Sequence, residues 1–579
     1  MKIHQVTNFV IQYCLVLLLI HNQRINAQVH LVNNEETNSQ SGGDVGYYKT
    51  KISRHASKRY KPTGRELWSL EEDDNQDIPA ARNETMISTP ALSDDERHSE
   101  VGVGRGLVGD SMGEFIQTKE PEVFDVVIIG AGWAGITAAK TLMNKGVTNI
   151  KVLEARDEIG GRSRTVMKSI WQGEEDFAID LGSMWIHGVK GNPIENVATT
   201  NGIPYMIGEE LTKLYTENYG GAIPDKEIDS LYQKYFDGKK HGFYPYQEEL
   251  QCSTNEDQSM KSIADKYKKQ KDMSSYEKGI FDFFLDTSIA FPYGASLEKL
   301  SLWWWDNDRG YKGYDGYMNH GYSELITAHA KGAVRSIIDT NSVVASIDTK
   351  SKGIVKIEYT DTSTDETTKI VAKRILVTVS LGALKEGAIQ FKPQLRKRTL
   401  KGISRVGMGL YNKIVMFWAD DSEVFWPKNV EWLGLAGQQD TKFEFYNPYS
   451  LNGGKPVLVG FVSGNDAKYM EDNYGENADV YDGEMSARAM VVLQNMFGPS
   501  IPDPKTIITT QWGQDEFAYG SYSFNKLGVK RFDRKKMCKP LRSNRIFFAG
   551  EACSRNFGTT HGAYLSGKKA GTKIAKVIK

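Results

Sequence analysis

Three glycines at a fixed spacing, Gly130, Gly132 and Gly135, form the G-x-G-x-x-G pattern that binds the phosphates of a dinucleotide. The first glycine makes a tight turn, the second leaves room for a pyrophosphate, and the third lets a helix pack closely on a strand. Glu154 follows 24 residues after Gly130, where a carboxylate can accept hydrogen bonds from both hydroxyls of an adenosine ribose. This chemistry favours FAD or NAD over NADP, because an acid does not suit a 2′-phosphate.

The elements around these residues are those that the chemistry requires. Residues 126–129 form a continuous apolar run, as expected for a parallel strand buried on both faces. The glycines then open a helix, whose N-terminal amides and dipole favour phosphate, and Gly146 is placed to end it. Residues 150–153 predict the second strand of a βαβ unit. This context makes dinucleotide binding a better interpretation than a glycine-rich turn that binds nothing.

A second loop rich in glycine and arginine follows the acid directly. It contains Arg156, Gly160, Gly161, Arg162 and Arg164. Arginine makes bidentate hydrogen bonds to phosphate, so the loop can wrap around the diphosphate. A solvent-exposed basic loop is the alternative.

This segment, L-E-A-R-D-x-x-G-G-R-x-x-T over residues 153–165, resembles the flavin amine oxidase family, which includes polyamine, monoamine and L-amino-acid oxidases and histone demethylases. Near the C-terminus, F-A-G-E over residues 548–551 and H-G-A-x-x-S-G over residues 561–567 are similar to the segment that closes over the flavin in polyamine oxidases. The resemblance covers about residue 124 to the C-terminus and is greatest to polyamine and spermine oxidases. It implies an α/β, two-domain fold with a discontinuous Rossmann-like FAD-binding domain and an α+β substrate-binding domain.

The resemblance also implies which residues hold the cofactor. Val344 would offer its backbone to the adenine, Glu551 would contact the ribityl and phosphate region, and Thr560 would meet the flavin. Monoamine oxidases carry a flavin-bonding cysteine where Ser521 stands, so FAD is expected to be noncovalent. The full predicted set is Gly130, Gly132, Gly135, Glu154, Arg156, Gly161, Arg162, Gly182, Ser183, Met184, Trp185, Val344, Trp512, Gly550, Glu551, Thr559 and Thr560.

Three residues are the predicted catalytic residues. Lys413 resembles the family's active-site lysine, which holds a water against flavin N5, and alternation places it on one strand face with Val415 and Phe417; a solvent-exposed edge lysine is the alternative. His187, within D-L-G-x-x-W-x-H-G over residues 180–188, would face the substrate chain, unless it only packs. Tyr522 resembles one wall of an aromatic cage around the amine.

Two differences from other members of the resembled family narrow the expected substrate class. The cage wall opposite Tyr522, often a tyrosine in that family, is Thr559 here, which favours a roomier channel for a linear molecule. L-amino-acid oxidases have an arginine where Trp185 stands, so recognition of a substrate carboxylate lacks its partner. A polycation needs acidic groups along the channel, although each candidate is individually more typical of an ordinary surface acid: Glu209, Glu210, Asp225, Asp306 and Asp308.

The function implied by this resemblance is that of an FAD-dependent polyamine oxidase. Hydride passes from a carbon beside nitrogen to flavin N5, the imine is hydrolysed to an aldehyde and an amine, and O2 reoxidises the flavin to give hydrogen peroxide. Spermine and spermidine are the expected polycationic substrates. The alternatives are oxidation of a monoamine, an amino acid or methyl-lysine, and a non-catalytic binding protein that keeps the FAD fold.

The domain organisation follows from the same motifs. The chain has 579 residues, enough for several domains, and its net charge of −1 gives no indication of nucleic-acid binding. Neither a metal site nor a disulfide is indicated by the spacing of the four cysteines. The tryptophans at residues 303–305 either pack in the core or form a wall of the tunnel through which the amine enters. The expected FAD-binding domain comprises residues 121–190, 321–403 and 531–579, and the substrate-binding domain comprises residues 191–320 and 404–530.

The N-terminal region predicts secretion. Residues 1–27 resemble a signal peptide with Ala27 at the cleavage point. Its apolar run, residues 9–20, is short for the ~20 residues of a membrane span, although an uncleaved anchor is the alternative. Residues 28–120 are polar and aperiodic, as in a disordered leader, and contain the sequon at Asn83. An extracellular protein with no stable membrane span is therefore expected.

Overall fold

The computed structural model describes residues 123–209, 211–217, 221–437, 441–474 and 483–578. The predicted signal peptide and leader, with Asn83, lie outside the described residues, and so does Glu210. Within the described ranges, no helix has both the length and the apolar character of a membrane span.

The strands of the described residues, in chain order, are β1 Val123–Ile129, β2 Ile150–Leu153, β3 Thr165–Lys168, β4 Phe177–Asp180, β5 Trp185–Ile186, β6 Met206–Ile207, β7 Thr212–Thr216, β8 Gly316–Tyr317, β9 Ile338–Asp339, β10 Ser342–Asp348, β11 Val355–Asp361, β12 Glu366–Val377, β13 Gln390–Lys392, β14 Gly407–Gly409, β15 Tyr411–Phe417, β16 Trp432–Ala436, β17 Glu444–Tyr446, β18 Val457–Ser463, β19 Thr506–Thr509, β20 Tyr522–Phe524 and β21 Ile546–Phe548.

The α-helices in the same ranges are α1 Trp133–Met143, α2 Pro193–Thr200, α3 Asp225–Leu231, α4 Phe243–Ser253, α5 Met260–Gln270, α6 Ser275–Leu285, α7 Ser323–His329, α8 Leu381–Glu386, α9 Lys397–Arg405, α10 Gly464–Tyr474, α11 Gly483–Phe497, α12 Asp533–Met537 and α13 Thr560–Ile578.

The largest sheet has eight strands and contains the predicted βαβ unit. Its order is β13-β10-β11-β12-β1-β2-β9, with β21 also pairing with β12. The strand β1 runs parallel to both β2 and β12, and residues 126–129 are buried as their apolar run predicted. Helices α1 and α13 pack together closely, because a Cβ on Gly567 would lie 2.1 Å from the carbonyl oxygen of Ala134.

A six-stranded sheet in the order β19-β15-β18-β17-β16-β7 supplies the other half of the site. Strands β15, β18 and β17 are antiparallel neighbours, with Lys413 opposite Phe461 and Phe461 opposite Glu444. Paired residues of neighbouring strands point to the same face of a sheet, so these three side chains form a row.

The strands of the two sheets come from different parts of the chain. The eight-stranded sheet uses residues 123–153, 338–392 and 546–548, and the six-stranded sheet uses residues 212–216, 411–463 and 506–509. Segments of the two sheets therefore alternate along the chain in the same order as the predicted domain segments. The boundaries of those domains stay predictions.

The described residues contain one disulfide, although the cysteine spacing indicated no disulfide framework. Cys538, just after α12, is bonded to Cys553, just after β21, across a sequence separation of 15. Spacing alone did not indicate this pair, because the chain between the two cysteines includes β21 and returns only in the folded structure. Cys252 is free and exposed.

Candidate active site

A cavity of about 680 Å³ extends from the glycine turn after β1 to the face of the six-stranded sheet. All three predicted catalytic residues line it, as do the predicted cofactor residues other than Gly135. A Cβ on Gly135 would lie 1.9 Å from the carbonyl oxygen of Gly130, so this glycine is required for helix packing on the strand. The structure therefore brings together residues spread over more than 400 positions of the sequence.

The dinucleotide end of the cavity fits a phosphate-linked ribose. Gly132 is the N-cap of α1 and provides no side-chain cap, which leaves the first helical amides to other acceptors. The Glu154 carboxylate is buried and accepts the Ala131 N–H at 2.6 Å and the Arg156 N–H at 3.1 Å. Burial raises its pKa, and the two backbone hydrogen bonds oppose that rise.

The N-terminal and C-terminal motifs are joined directly by an ion pair. Arg162 Nη1 donates to the Ser521 carbonyl at 2.8 Å and to Glu551 Oε1 at 3.3 Å. Glu551 also accepts the Ser523 hydroxyl and the Gly558 N–H, both at 2.7 Å. Burial opposes ionisation of Glu551, but Arg162 and these hydrogen bonds outweigh it and lower the pKa.

The arginine loop only partly follows the prediction that it wraps a diphosphate. Arg156 lines the cavity, but its Nη2 donates to both carboxylate oxygens of Asp515, at 2.6 and 2.7 Å. Arg164 pairs with Glu158 at 2.5 Å. These two guanidinium groups are thus held by carboxylates of the chain, which sequence spacing did not reveal.

Lys413 is buried at the opposite end of the cavity, with a relative exposure of 4%. Its Nζ donates to the carbonyl oxygens of Asp180 at 2.5 Å and Gly182 at 2.7 Å. Burial lowers the pKa of Lys413, and the negative charge of Asp180 opposes that fall. Burial correspondingly raises the pKa of Asp180. The alternative of a solvent-exposed edge lysine was therefore wrong.

Aromatic rings wall the cavity beside Lys413. Tyr522 faces Tyr411 with ring centroids 6.2 Å apart, and Tyr411 stacks on Phe461 at 5.1 Å. Sequence reasoning missed Tyr411, although it lies two residues before Lys413 on the same strand face. Thr559 lines the cavity too, and its hydroxyl accepts the Gly562 N–H at 3.0 Å at the start of α13.

His187 lies at an exposed part of the cavity wall. Its Nδ1 is 2.7 Å from Asp315 Oδ2, and Asp315 Oδ1 accepts the Gly188 N–H at 2.7 Å. Asp315 therefore fixes the orientation of the imidazole, and nothing in the spacing of the two residues indicated the pair.

The acidic residues of the cavity are mostly not those proposed from the sequence. Asp308 lines it and accepts the Tyr293 hydroxyl at 2.9 Å, and burial raises its pKa to about 7. Glu431 and Glu444 also line it, and both were missed. The other described candidates are not among the lining residues: Glu209, Asp225 and Asp306.

The tryptophan run at residues 303–305 lies away from the cavity lining. No residue of the 303–305 run lines the cavity, and Trp305 is a core residue with 1% exposure. The tunnel-wall alternative for this run therefore has no support. Within the described ranges, no cluster of three His, Cys, Asp or Glu side chains could hold a metal ion.

Comparison with known proteins places the chain in a family. A family model described as flavin containing amine oxidoreductase matches residues 133–575, so the chain belongs to that family. Its cofactor is FAD, which fits the dinucleotide turn, the buried Glu154 and the Arg162–Glu551 pair.

Relatives include a histone demethylase homolog and a polyamine oxidase from Arabidopsis thaliana. The chain is 30% identical to lysine-specific histone demethylase 1 homolog 1 over 466 residues, which cover 79% of this chain but 52% of that protein. It is also 30% identical to polyamine oxidase 2 over 472 residues, which cover 79% of this chain and 89% of that protein. The chain thus spans about half the length of the demethylase relative.

A solved structure confirms the predicted two-domain fold. Cyclohexylamine oxidase from Brevibacterium oxydans superposes with a TM-score of 0.59 at 21% identity, covering 79% of this chain and 99% of that one.

Proposed function

We propose that this FAD-dependent amine oxidoreductase is a polyamine oxidase acting on linear polycations such as spermine or spermidine. The observation that carries the proposal is the composition of the cavity beside Lys413. Aromatic rings line it together with three carboxylates: Glu431 and Glu444 are buried, and Asp308 is half-buried. Aromatic walls suit an alkyl chain, and carboxylates that line a cavity attract the ammonium groups of a polycation.

The side chains of the site have separate roles in amine oxidation. FAD supplies a hydride acceptor when bound. Tyr411, Phe461 and Tyr522 exclude water and favour a neutral amine, whose lone pair is needed for loss of hydride. Lys413, with its lowered pKa, can hold a water and exchange a proton with it, and such a water is needed to hydrolyse the imine product. His187, oriented by Asp315, can accept a hydrogen bond from a substrate nitrogen.

The likeness to polyamine oxidase 2 supports this choice by its coverage, since the alignment includes 89% of that protein. Noncovalent FAD is part of the proposal, because Ser521 stands where a flavin-bonding cysteine would be. Its hydroxyl accepts the Tyr411 N–H at 2.8 Å and donates to the Tyr411 carbonyl at 3.0 Å.

We propose further that the protein follows the secretory pathway. The Cys538–Cys553 disulfide supports this, because disulfides persist mainly in oxidising compartments. Expression in a eukaryotic cell with separate assay of medium and lysate tests it. Exclusive recovery from the lysate would contradict secretion.

A hydrogen peroxide release assay tests the catalytic proposal. Purified protein is given spermine, spermidine, an acetylated polyamine, benzylamine, L-leucine or a dimethyl-lysine peptide, with catalase as the control for peroxide. The highest kcat/KM is expected for spermine or spermidine. Preference for the peptide or for benzylamine would overturn the polyamine assignment while leaving amine oxidation intact. A protein that binds FAD but oxidises none of these would support the non-catalytic alternative.

A further inference from the structure

The row of side chains across the six-stranded sheet places an acid at a fixed distance from the reacting centre. We propose that the Glu444 carboxylate binds a second ammonium group of the substrate and so selects diamines and polyamines over monoamines. This inference rests on the proposed function and assigns the substrate class to one residue.

Strand register defines the position of Glu444. Lys413 pairs with Phe461, and Phe461 pairs with Glu444, on adjacent antiparallel strands. Neighbouring strands lie about 4.8 Å apart, so the Cα atoms of Lys413 and Glu444 are separated by two such steps, roughly 10 Å. All three residues line the cavity, so the row runs along its wall.

The environment of Glu444 suits an organic cation. Its relative exposure is 2%, and it lines the same cavity as Trp432 and Tyr446. Trp185 stacks on Trp432 at 5.7 Å and meets Tyr446 edge-on at 5.0 Å. Aromatic faces attract ammonium groups, and a buried carboxylate adds a charge-assisted hydrogen bond.

The aromatic residues between Lys413 and Glu444 suit the aliphatic spacer between two nitrogens of a polyamine. Phe461 occupies the middle of the row, and its ring also contacts Trp185 at 5.8 Å. An aliphatic spacer between two nitrogens would lie against these rings, with one nitrogen near Lys413 and the other at Glu444. A monoamine of equal length would bring an apolar end to the carboxylate and leave it without that cation.

Other acids line the cavity as well, and three of them have contacts that fix their positions. Asp315 accepts the Gly188 N–H at 2.7 Å and lies 2.7 Å from His187 Nδ1. Glu431 accepts the Glu209 N–H at 2.5 Å and lies against Gly208, so it holds that backbone segment. Asp308 accepts the hydroxyl of Tyr293. None of these three acids is paired in register with Lys413 and Phe461, which is why Glu444 is assigned the selective contact.

The test compares two probes that differ by one charge, 1,8-diaminooctane and octylamine, together with spermidine. Glu444→Gln keeps the shape and removes the charge. The KM for 1,8-diaminooctane and spermidine is expected to rise on the order of 10- to 100-fold, as for loss of a hydrogen bond to a charged group. In Glu444→Gln the KM for octylamine should change by less than about 3-fold. In Glu444→Leu the KM for octylamine should fall, because the apolar side chain suits the apolar end of that monoamine.

Matched controls separate this effect from general damage. Glu358→Gln makes the same substitution on β11, outside the cavity, and should leave all three values unchanged. FAD absorbance in each purified variant reports whether the site is formed. If Glu444→Gln does not fold, Glu444→Asp keeps the charge but shortens the reach, and an intermediate rise restricted to the diamine is expected.

The outcomes distinguish this inference from the proposed function. Equal losses for octylamine and the diamine, or no loss for either, would overturn the role of Glu444 even if the wild type oxidises spermidine. If the wild type oxidises no polyamine, the proposed function fails, and the thermal shift of the FAD-loaded protein by 1,8-diaminooctane still tests the contact. A rise in Tm that the wild type shows and Glu444→Gln does not would support the contact. An equal rise in both proteins, or no rise in the wild type, would overturn it.

Discussion

Lys413 Nζ donates to the main-chain carbonyl of Asp180 at 2.5 Å, which joins the centre of β15 to the end of β4. A second hydrogen bond, to Gly182 at 2.7 Å, continues along the segment expected to follow the flavin. The buried lysine therefore has two relations to this segment: its ammonium fixes the backbone, and the Asp180 carboxylate influences its charge.

Replacing the lysine tests its part in amine oxidation. Lys413→Met should retain FAD but slow flavin reduction by roughly 100-fold or more, because the side chain that can hold a water and exchange protons is lost. Stopped-flow reduction with spermidine under anaerobic conditions measures this. Lys385→Met is the matched control, since burial also lowers the pKa of Lys385, to about 8, but that lysine does not line the cavity. Unchanged reduction in Lys413→Met would remove the residue from the mechanism.

Replacing the neighbouring acid tests the electrostatics. Burial lowers the pKa of Lys413, and the Asp180 charge raises it, so Asp180→Asn should lower it further. The inflection that Lys413 contributes to the pH dependence of flavin reduction should then move to lower pH. Asparagine can still accept the Thr165 hydroxyl and the Tyr322 N–H that Oδ1 accepts now, which limits structural damage. A profile that does not move, or moves upward, would contradict the coupling.

Local pattern was sufficient to predict much of the dinucleotide end. The apolar run before Gly130, the spacing of the glycines and the position of Glu154 all report contacts within one βαβ unit of about 30 residues. The buried lysine followed from alternation together with resemblance.

Long-range pairs account for what the sequence did not show. Glu444 becomes a cavity residue only through pairing of β17 with β18, and Asp515 meets Arg156 across 359 positions. Ser380 is another residue whose contacts lie far along the chain. It caps α8 by accepting the Ala383 N–H at 2.9 Å and donates to the Ala518 carbonyl at 2.6 Å. Such contacts depend on the assembled fold, so no local pattern indicated them.

Alanine substitutions at two glycines of the dinucleotide motif should have different effects. An alanine at Gly132 would place its Cβ 3.7 Å from the nearest atom, the Gly160 carbonyl oxygen, which the protein alone tolerates. Gly132→Ala should therefore fold with a Tm within a few degrees of apo wild type but bind FAD weakly, because the methyl group occupies the pyrophosphate side of the turn. Gly135→Ala, with its Cβ 1.9 Å from a carbonyl oxygen, should lose stability before cofactor is added. Equal FAD affinity in Gly132→Ala and wild type would contradict the assigned phosphate site.

The disulfide should stabilise the segment that carries Glu551. Cys553 lies two residues after Glu551, and Arg534 in α12 donates to the Ala552 carbonyl at 3.1 Å, so the bond and this contact hold the same turn. Closing a loop of 15 residues is worth about 3 kcal/mol through the entropy of the unfolded chain. The double variant Cys538→Ser/Cys553→Ser should lose about that much unfolding free energy in urea titration. Cys252→Ser, which removes the free exposed thiol, should lose none. The wild type treated with a reductant should match the double variant, and a wild type that keeps its full stability when fully reduced would show that the bond does not hold this turn.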